Sequence, residues 1–190
     1  LSSWKLFLFY LLSTAALLHL VRVHFRLYNS VSKENISDTM TGLYNRKILT
    51  PMLESRLQRL TAQGVNVVTM ALDCDGLKKI NDTWGHNAGD EAIILLARAI
   101  SASIRSSDYG VRLGGDEFFL ILIDYPHDEA ENIAAKIRQY LAIHDHQQRV
   151  DFSWGGEHLA PEQSLSDAMK AADARLYMNK KQKKSPDLRR

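Results

Sequence analysis

Two pairs of carboxylates stand where the backbone is expected to be rigid. Residues 65–73, "VNVVTMALD", are a short valine-rich run after Gly64 and read as a buried strand. The run ends in Asp73, Cys74 and Asp75, a D-x-D at a strand end. Residues two apart on a strand share a face, so both acids belong to one side of the sheet. The second pair, Asp116 and Glu117, follows Gly114-Gly115 inside "VRLGGDEFFLIL", where two apolar runs meet at a glycine turn. If those strands are neighbours, Asp73 and Asp116 converge. Two or three carboxylate oxygens suit Mg²⁺, which completes its shell with water and substrate phosphate. Metal-assisted phosphoryl or nucleotidyl transfer uses such a set. Taken singly, each pair also reads as solvated turn residues.

Between the pairs lies "LKKINDTWGHNAGDEA". Asn81, Asp82, His86, Asn87 and Asp90 read as a loop ahead of a helix, with Asp90 able to cap or stabilise that helix. Asn and Asp side chains together also supply the donors and acceptors a purine edge needs. His86 has no partner at ligand spacing and reads as a structural hydrogen-bonding group.

The elements that must position these groups follow from periodicity. Residues 45–60 carry apolar side chains at helical spacing (Ile48, Met52, Leu53, Leu57, Leu60), with Pro51 acceptable only near a first turn. Residues 89–108 read as a helix, and the glycine hairpin follows. Ala130, Ile133, Ala134, Ile137 and Leu141 form the stripe of another helix. "RVDFSWGG" reads as a strand. A last helix runs through "SLSDAMKAADARLYMNKK", with Ser164 or Ser166 able to cap it. A hairpin within a mixed order indicates an α+β sheet with antiparallel pairs, covered by helices.

Composition narrows the class. The hydrophobic share of 45% and charged share of 24% are those of a globular domain. A net charge of +2 gives no bulk attraction to nucleic acid. A single cysteine, Cys74, forbids an internal disulfide and fits a reducing compartment. The chain begins at leucine and reads as a piece of a longer protein. "LFLFYLLSTAALLHLV", residues 6–21, has no charged residue and falls slightly short of the ~20 that span a bilayer. Trp4 and Tyr10 suit an interface, and Arg22 and Arg26 beyond the run place the rest of the chain in the cytoplasm. No small-residue cleavage site follows, so an anchor is favoured over a signal peptide. The other reading is a buried or dimer-forming helix. The expected organisation is a transmembrane helix over 1–28, a linker or continuing helix over 29–37, a domain over 38–184 and a basic tail over 185–190.

"GGDEF" at residues 114–118 resembles the signature of the GGDEF-domain diguanylate cyclase family. The likeness extends in order: "DTMTGLYNR" from Asp38, "DCDGLKKINDTWGHNAGD" from Asp73, "DFSWGG", and "AADARLYMNKK". It covers roughly residues 38–184. It implies a palm-like fold of the nucleotide cyclase and polymerase kind. It implies condensation of two GTP into cyclic di-GMP and pyrophosphate across a homodimer, with Mg²⁺ or Mn²⁺. Asp73, Asp116 and the Cys74 carbonyl match the metal ligands, with the Cys74 side chain a small core group. Glu117 matches the second signature acid. Gly114 and Gly115 match positions where backbone passes close to nucleotide. Asn81 and Asp90 match the guanine-reading residues. Lys180 matches a triphosphate contact, and Lys78 lies beside the phosphate loop. Asp116 as a general base is a further option.

"RSSD", Arg105 to Asp108, resembles the family's inhibitory product site; a helix-end ion pair is the plainer alternative. Leu77 stands where the family has Phe, which would loosen packing near the phosphates. "KKQKK" lacks the family's glycine and Arg-Asn, and Lys184 replaces a phosphate-contacting arginine without its fork. These departures keep two rivals open: a weak or inactive module that senses GTP or cyclic di-GMP, and a membrane-anchored scaffold. The expected location is the bacterial inner membrane, with the domain in the cytoplasm.

Overall fold

The structure is a computed structural model that describes residues 3–126, 129–147 and 149–184; the side chains of 25–35 and 184 are outside that description. The chain divides into two compact units, Leu1–Ser37 and Asp38–Arg190.

The first unit is one helix, α1 (Ser3–Ile36). Its Ser3–His24 stretch is long and apolar enough to cross a membrane, with a mean hydropathy of 1.9 over an 18-residue window. The chain stays helical through the segment for which a linker or a continuing helix was expected.

The second unit is built on a five-stranded sheet in the order β1-β3-β4-β2-β5. The strands are β1 (Tyr44–Asn45), β2 (Val67–Asp75), β3 (Tyr109–Gly114), β4 (Glu117–Ile123) and β5 (Asp151–His158). β1 runs parallel to β3, and every other pairing is antiparallel. This is the expected α+β, palm-like mixed sheet. The short β1 was not foreseen, because two residues carry no readable alternation.

Alternation along β2 sorts its side chains onto two layers. Val68, Met70, Leu72 and Cys74 enter one cluster with α4 (His86–Ser103) and α5 (Glu129–His144). Val67 and Ala71 enter the other, with α2 (Pro51–Ala62) and α6 (Leu165–Lys184). Asp73 and Asp75 continue the second series, so they emerge on the α6 side of the sheet.

Three boundaries differ from the sequence reading. The helix expected over 45–60 begins at Pro51, because Thr50 caps it by accepting from the Leu53 N–H and proline fits the first turn. A 3₁₀ turn, Arg46–Ile48, takes up the preceding residues. The loop expected around Asn81 is largely helix: α3 (Leu77–Trp84) and α4 are separated by Gly85 alone. Gly85 is also the N-cap of α4, and its first turn holds no acid, so Asp90 does not cap that helix. Finally, α4 ends at Ser103, which leaves Arg105 to Asp108 in a turn rather than on a helix end. At the last helix, Ser164 is the cap: its hydroxyl accepts from the Asp167 N–H at 3.0 Å.

Candidate active site

The register of β2 and β4 places Asp73 directly opposite Glu117. One residue on, the Cys74 N–H donates to the Asp116 carbonyl at 3.1 Å. The strand end and the glycine hairpin are therefore bonded neighbours, and the two acid pairs meet. Like charges facing each other across strands repel. The α6 helix supplies the counter-charge: Lys180 Nζ lies 2.6 Å from Asp73 Oδ1.

The electrostatics of Asp73 record this crowding. Burial lifts its carboxyl above the ordinary range; Lys180 works against the lift, while the charges of Asp116 and Asp75 add to it. The Cys74 thiol is pushed up to about 12 by burial and then by Asp116 and Asp73. Its side chain is buried in the core, so it is no reactive thiolate.

Among the described residues, no group of three His, Cys, Asp or Glu side chains is gathered as a metal cage. Mg²⁺ does not need one, since one or two carboxylates with water and phosphate suffice. The charges of Asp116 and Asp75 both bear on Asp73, which favours a cation beside it, and the carboxylates and the Cys74 carbonyl offer hard oxygens. The residues present fit such an ion.

The hairpin holding Asp116 is stiffened from behind. Gly114 and Gly115 adopt φ of 152° and 53°, which side chains resist. The Arg112 guanidinium donates to the Gly115 carbonyl at 3.1 Å and 2.8 Å and pairs with Asp38 at 3.2 Å. Burial opposes ionisation of Asp38, but hydrogen bonds from Thr41 and Arg112 outweigh it and hold the carboxyl below its ordinary value. Arg112 was not singled out in the sequence, because nothing in its spacing shows which carbonyl it will reach.

Asp73, Glu117 and Lys180 line an open cleft of about 790 Å³, together with Arg46, Phe119 and Lys170. That volume is within the range of small-molecule sites. Asn81, Asp90 and Lys78 do not line it. They form a second group on α3 and α4, where Lys78 and Asp90 are exposed. Asn81 Oδ1 is buried with no hydrogen-bond partner. It lies where a Cβ on Gly89 would be, 1.9 Å from that point. Leu77, at the position where the family has Phe, is half-buried and packs on two clusters, so that end of the helix is not loosely held.

Arg105 and Asp108 form a third group with a divided role. Asp108 is buried and accepts from the Arg105 N–H at 2.7 Å, the Tyr125 hydroxyl at 2.9 Å and the Ile123 N–H at 3.0 Å. The Arg105 guanidinium does not meet it; it stands 4.1 Å over the Tyr125 ring. The helix-end ion pair is thus replaced by a backbone contact. Lys184 ends α6, and its side chain lies outside the described residues, as does the whole of 185–190.

A mixed palm-like sheet that brings paired acids to the ends of its strands β2 and β4, beside a helix lysine, is the arrangement that the resemblance in the sequence implies. Residues 35–186 match the family model described as "Diguanylate cyclase, GGDEF domain". The chain belongs to that family. It is 54% identical over 184 residues to "Probable diguanylate cyclase DgcJ" of Escherichia coli K12, which covers 97% of this chain and 37% of that protein. It is 38% identical over 107 residues to "Response regulator PleD" of Caulobacter vibrioides, covering 56% of this chain and 24% of that protein. The chain thus spans little more than a third, or less, of these relatives. Among solved structures, the coiled coil and GGDEF domain of DgcB from Caulobacter crescentus, in complex with c-di-GMP, superposes with a TM-score of 0.71. Its identity is 25%, covering 90% of this chain and 92% of that one. Diguanylate cyclase SiaD of Pseudomonas aeruginosa, in complex with its activator SiaC, gives 0.68 at 27% identity, covering 94% and 73%.

Proposed function

We propose that this chain is the output domain of a diguanylate cyclase, condensing two GTP into cyclic di-GMP and pyrophosphate. The observation that carries the reading is the meeting of Asp73, Asp116 and Glu117 at the ends of the neighbouring strands β2 and β4, beside Lys180, in a chain of this family. One GTP sits on each of two domains, and each 3′-hydroxyl attacks the α-phosphate of the other nucleotide. Bond formation at phosphorus expels pyrophosphate, twice, to close the ring.

Asp73, Asp116 and the Cys74 carbonyl would hold Mg²⁺ or Mn²⁺. Bound there, the ion supplies charge neutralisation for the reacting phosphate and the departing pyrophosphate. Lys180 adds a point charge on the triphosphate, with Lys78 beside the phosphate loop and Lys184 at the sequence position of the family's phosphate-contacting arginine. Asn81 and Asp90 read the guanine edge, with the Asn81 side chain seated against Gly89 where α3 meets α4. Gly114 and Gly115 let the nucleotide approach the hairpin backbone. Glu117 adds charge at the reacting end, and Asp116 can take the proton of the attacking hydroxyl.

Cyclic di-GMP restrains the enzyme at the Arg105 turn. The exposed guanidinium is the ligand contact, and Asp108 holds the turn that presents it. The α1 helix anchors the domain at the cytoplasmic face of the inner membrane.

The test is incubation of the purified chain with GTP and Mg²⁺, following cyclic di-GMP. No product at high protein concentration, with GTP still bound, selects the sensor reading. Absence of both binding and product leaves the scaffold. Removing residues 1–30 is expected to shift the chain from the membrane to the soluble fraction.

A further inference from the structure

The lysine-rich end of α6 departs from the family pattern, and one of its lysines is held more closely than any simple tail residue would be. Lys183 Nζ donates to Asp75 Oδ2 at 2.9 Å, to Asp151 Oδ2 at 3.0 Å and to the Phe152 carbonyl at 2.8 Å. An ammonium has three N–H donors, and each has an acceptor here. Asp75 and Asp151 are directly paired across β2 and β5. Two facing carboxylates would push those strand ends apart. Lys183 removes that repulsion, and the Ser153 hydroxyl completes Asp75 at 2.8 Å.

Lys183 is also the third of three evenly spaced stitches. Arg175 pairs with Glu157 at 2.7 Å, and the Asn179 amide donates to the Trp154 carbonyl at 2.6 Å. Lys183 then closes on Asp151 and Phe152. Residues four apart on a helix lie above one another, so these three form one ridge running along β5. Lys180 stands beside that ridge, facing β2. Two rungs result, Lys180 to Asp73 and Lys183 to Asp75, between lysines three apart on a helix and acids two apart on a strand.

We infer that Lys183 is a positioning residue for the phosphate site. It pins the last turn of α6 so that Lys180 is presented at the end of β2, where the triphosphate lies. Helix ends fray when nothing ties them down. A frayed last turn lets Lys180 swing away, at a cost in phosphate affinity and not in guanine recognition. The inference rests on the nucleotide reading above for its ligand.

The experiment measures calorimetric binding of 3′-deoxy-GTP, which cannot react, to the full chain in detergent with Mg²⁺. Lys183→Met is expected to weaken binding about tenfold, the size of one lost charge-assisted contact. Lys183→Arg, which keeps the charge and the donors, is expected to restore it to within about threefold. The decisive comparison is with Lys180→Ala. If Lys183 acts through Lys180, the double variant binds no worse than Lys180→Ala alone. Additive losses, or a Lys183→Met chain that binds like wild type, overturn the inference. Should Lys183→Met fail to fold, Asp151→Asn removes one arm of the clamp at an exposed site and is read in the same cycle. A wild-type chain that binds no 3′-deoxy-GTP overturns the nucleotide reading itself. A wild-type chain that binds it while Lys183→Met is unaffected overturns only the inference.

Discussion

Asn81 Oδ1 lies in the space that a Cβ on Gly89 would fill, 1.9 Å from where that carbon would stand. The amide belongs to α3 and the glycine to α4, so the contact joins the two helices across Gly85. It also leaves a buried acceptor unpartnered in the free domain. Such an atom costs free energy unless a ligand meets it.

Gly89→Ala tests that arrangement. Alanine in place of glycine inside a helix is worth about 1 kcal/mol on propensity alone. The clash is with the far end of a side chain, which can rotate away. The variant is therefore expected to stay folded, with a melting temperature near wild type, while GTP affinity falls about tenfold as Asn81 is evicted. Unchanged affinity would remove Asn81 from the guanine site.

Gly155→Ala should behave in the opposite way. A Cβ there would stand 2.2 Å from the Leu176 amide nitrogen and 2.3 Å from the Ala172 carbonyl oxygen. Both are backbone atoms of α6, which cannot rotate aside. The helix must lift from β5, at a cost of about 1–3 kcal/mol. Denaturant melts should show the loss, and cyclic di-GMP formation should drop even where the chain remains folded, because Lys180 rides on α6.

Asp73→Asn separates function from stability. The folded pKa of Asp73 is raised above 3.8, by burial first. A raised carboxyl favours the fold while protonated, and that contribution is lost as pH rises through the folded value. At neutral pH without divalent ion, the asparagine variant is expected to melt higher than wild type. Its cyclic di-GMP formation should fall by about 10²-fold or more. Mg²⁺ should raise the melting temperature of wild type and leave the variant unmoved.

Tyr125 gives an alkaline signature. Burial, then the hydrogen bond to Asp108 and its charge, push its hydroxyl from 10.0 up to about 12. Its contribution is present below pH 10.0 and is lost between there and about 12. Tyr125→Phe should cost about 1–3 kcal/mol at neutral pH, by stripping a donor from buried Asp108. It should also flatten the fall in stability over that alkaline window.

Arg105→Ala separates the two roles in the RSSD turn. The backbone N–H that Asp108 needs survives the change, so the fold and the basal rate should hold. Inhibition by added cyclic di-GMP should be relieved. Inhibition that persists undiminished would make the turn purely structural.

Much of the candidate site was legible in the chain itself. Asp73, Asp75, Asp116 and Glu117 could be placed at strand ends because apolar alternation and doubled glycine are local signals. Lys180 and Lys184 came from the resemblance alone, and nothing local singled out Lys183. Asn81 and Asp90 read only as part of a polar loop with Asp82, His86 and Asn87, and the resemblance alone paired them, since polar residues around one glycine mask the junction of α3 with α4. Only the tertiary structure decided which partners these residues keep. The β2–β4 register put Asp73 opposite Glu117, and a one-residue slip would have turned the acid to the other layer. The approach of α6 over Gly155 chose Lys180 for Asp73 and Lys183 for Asp75. The fold also gave Asp108 to Tyr125 and the Arg105 backbone rather than to the Arg105 guanidinium. Sequence carries periodicity and turn chemistry, which act between near neighbours. Ion pairs between residues a hundred positions apart depend on how helices seat on the sheet, and that is set by packing summed over the whole core.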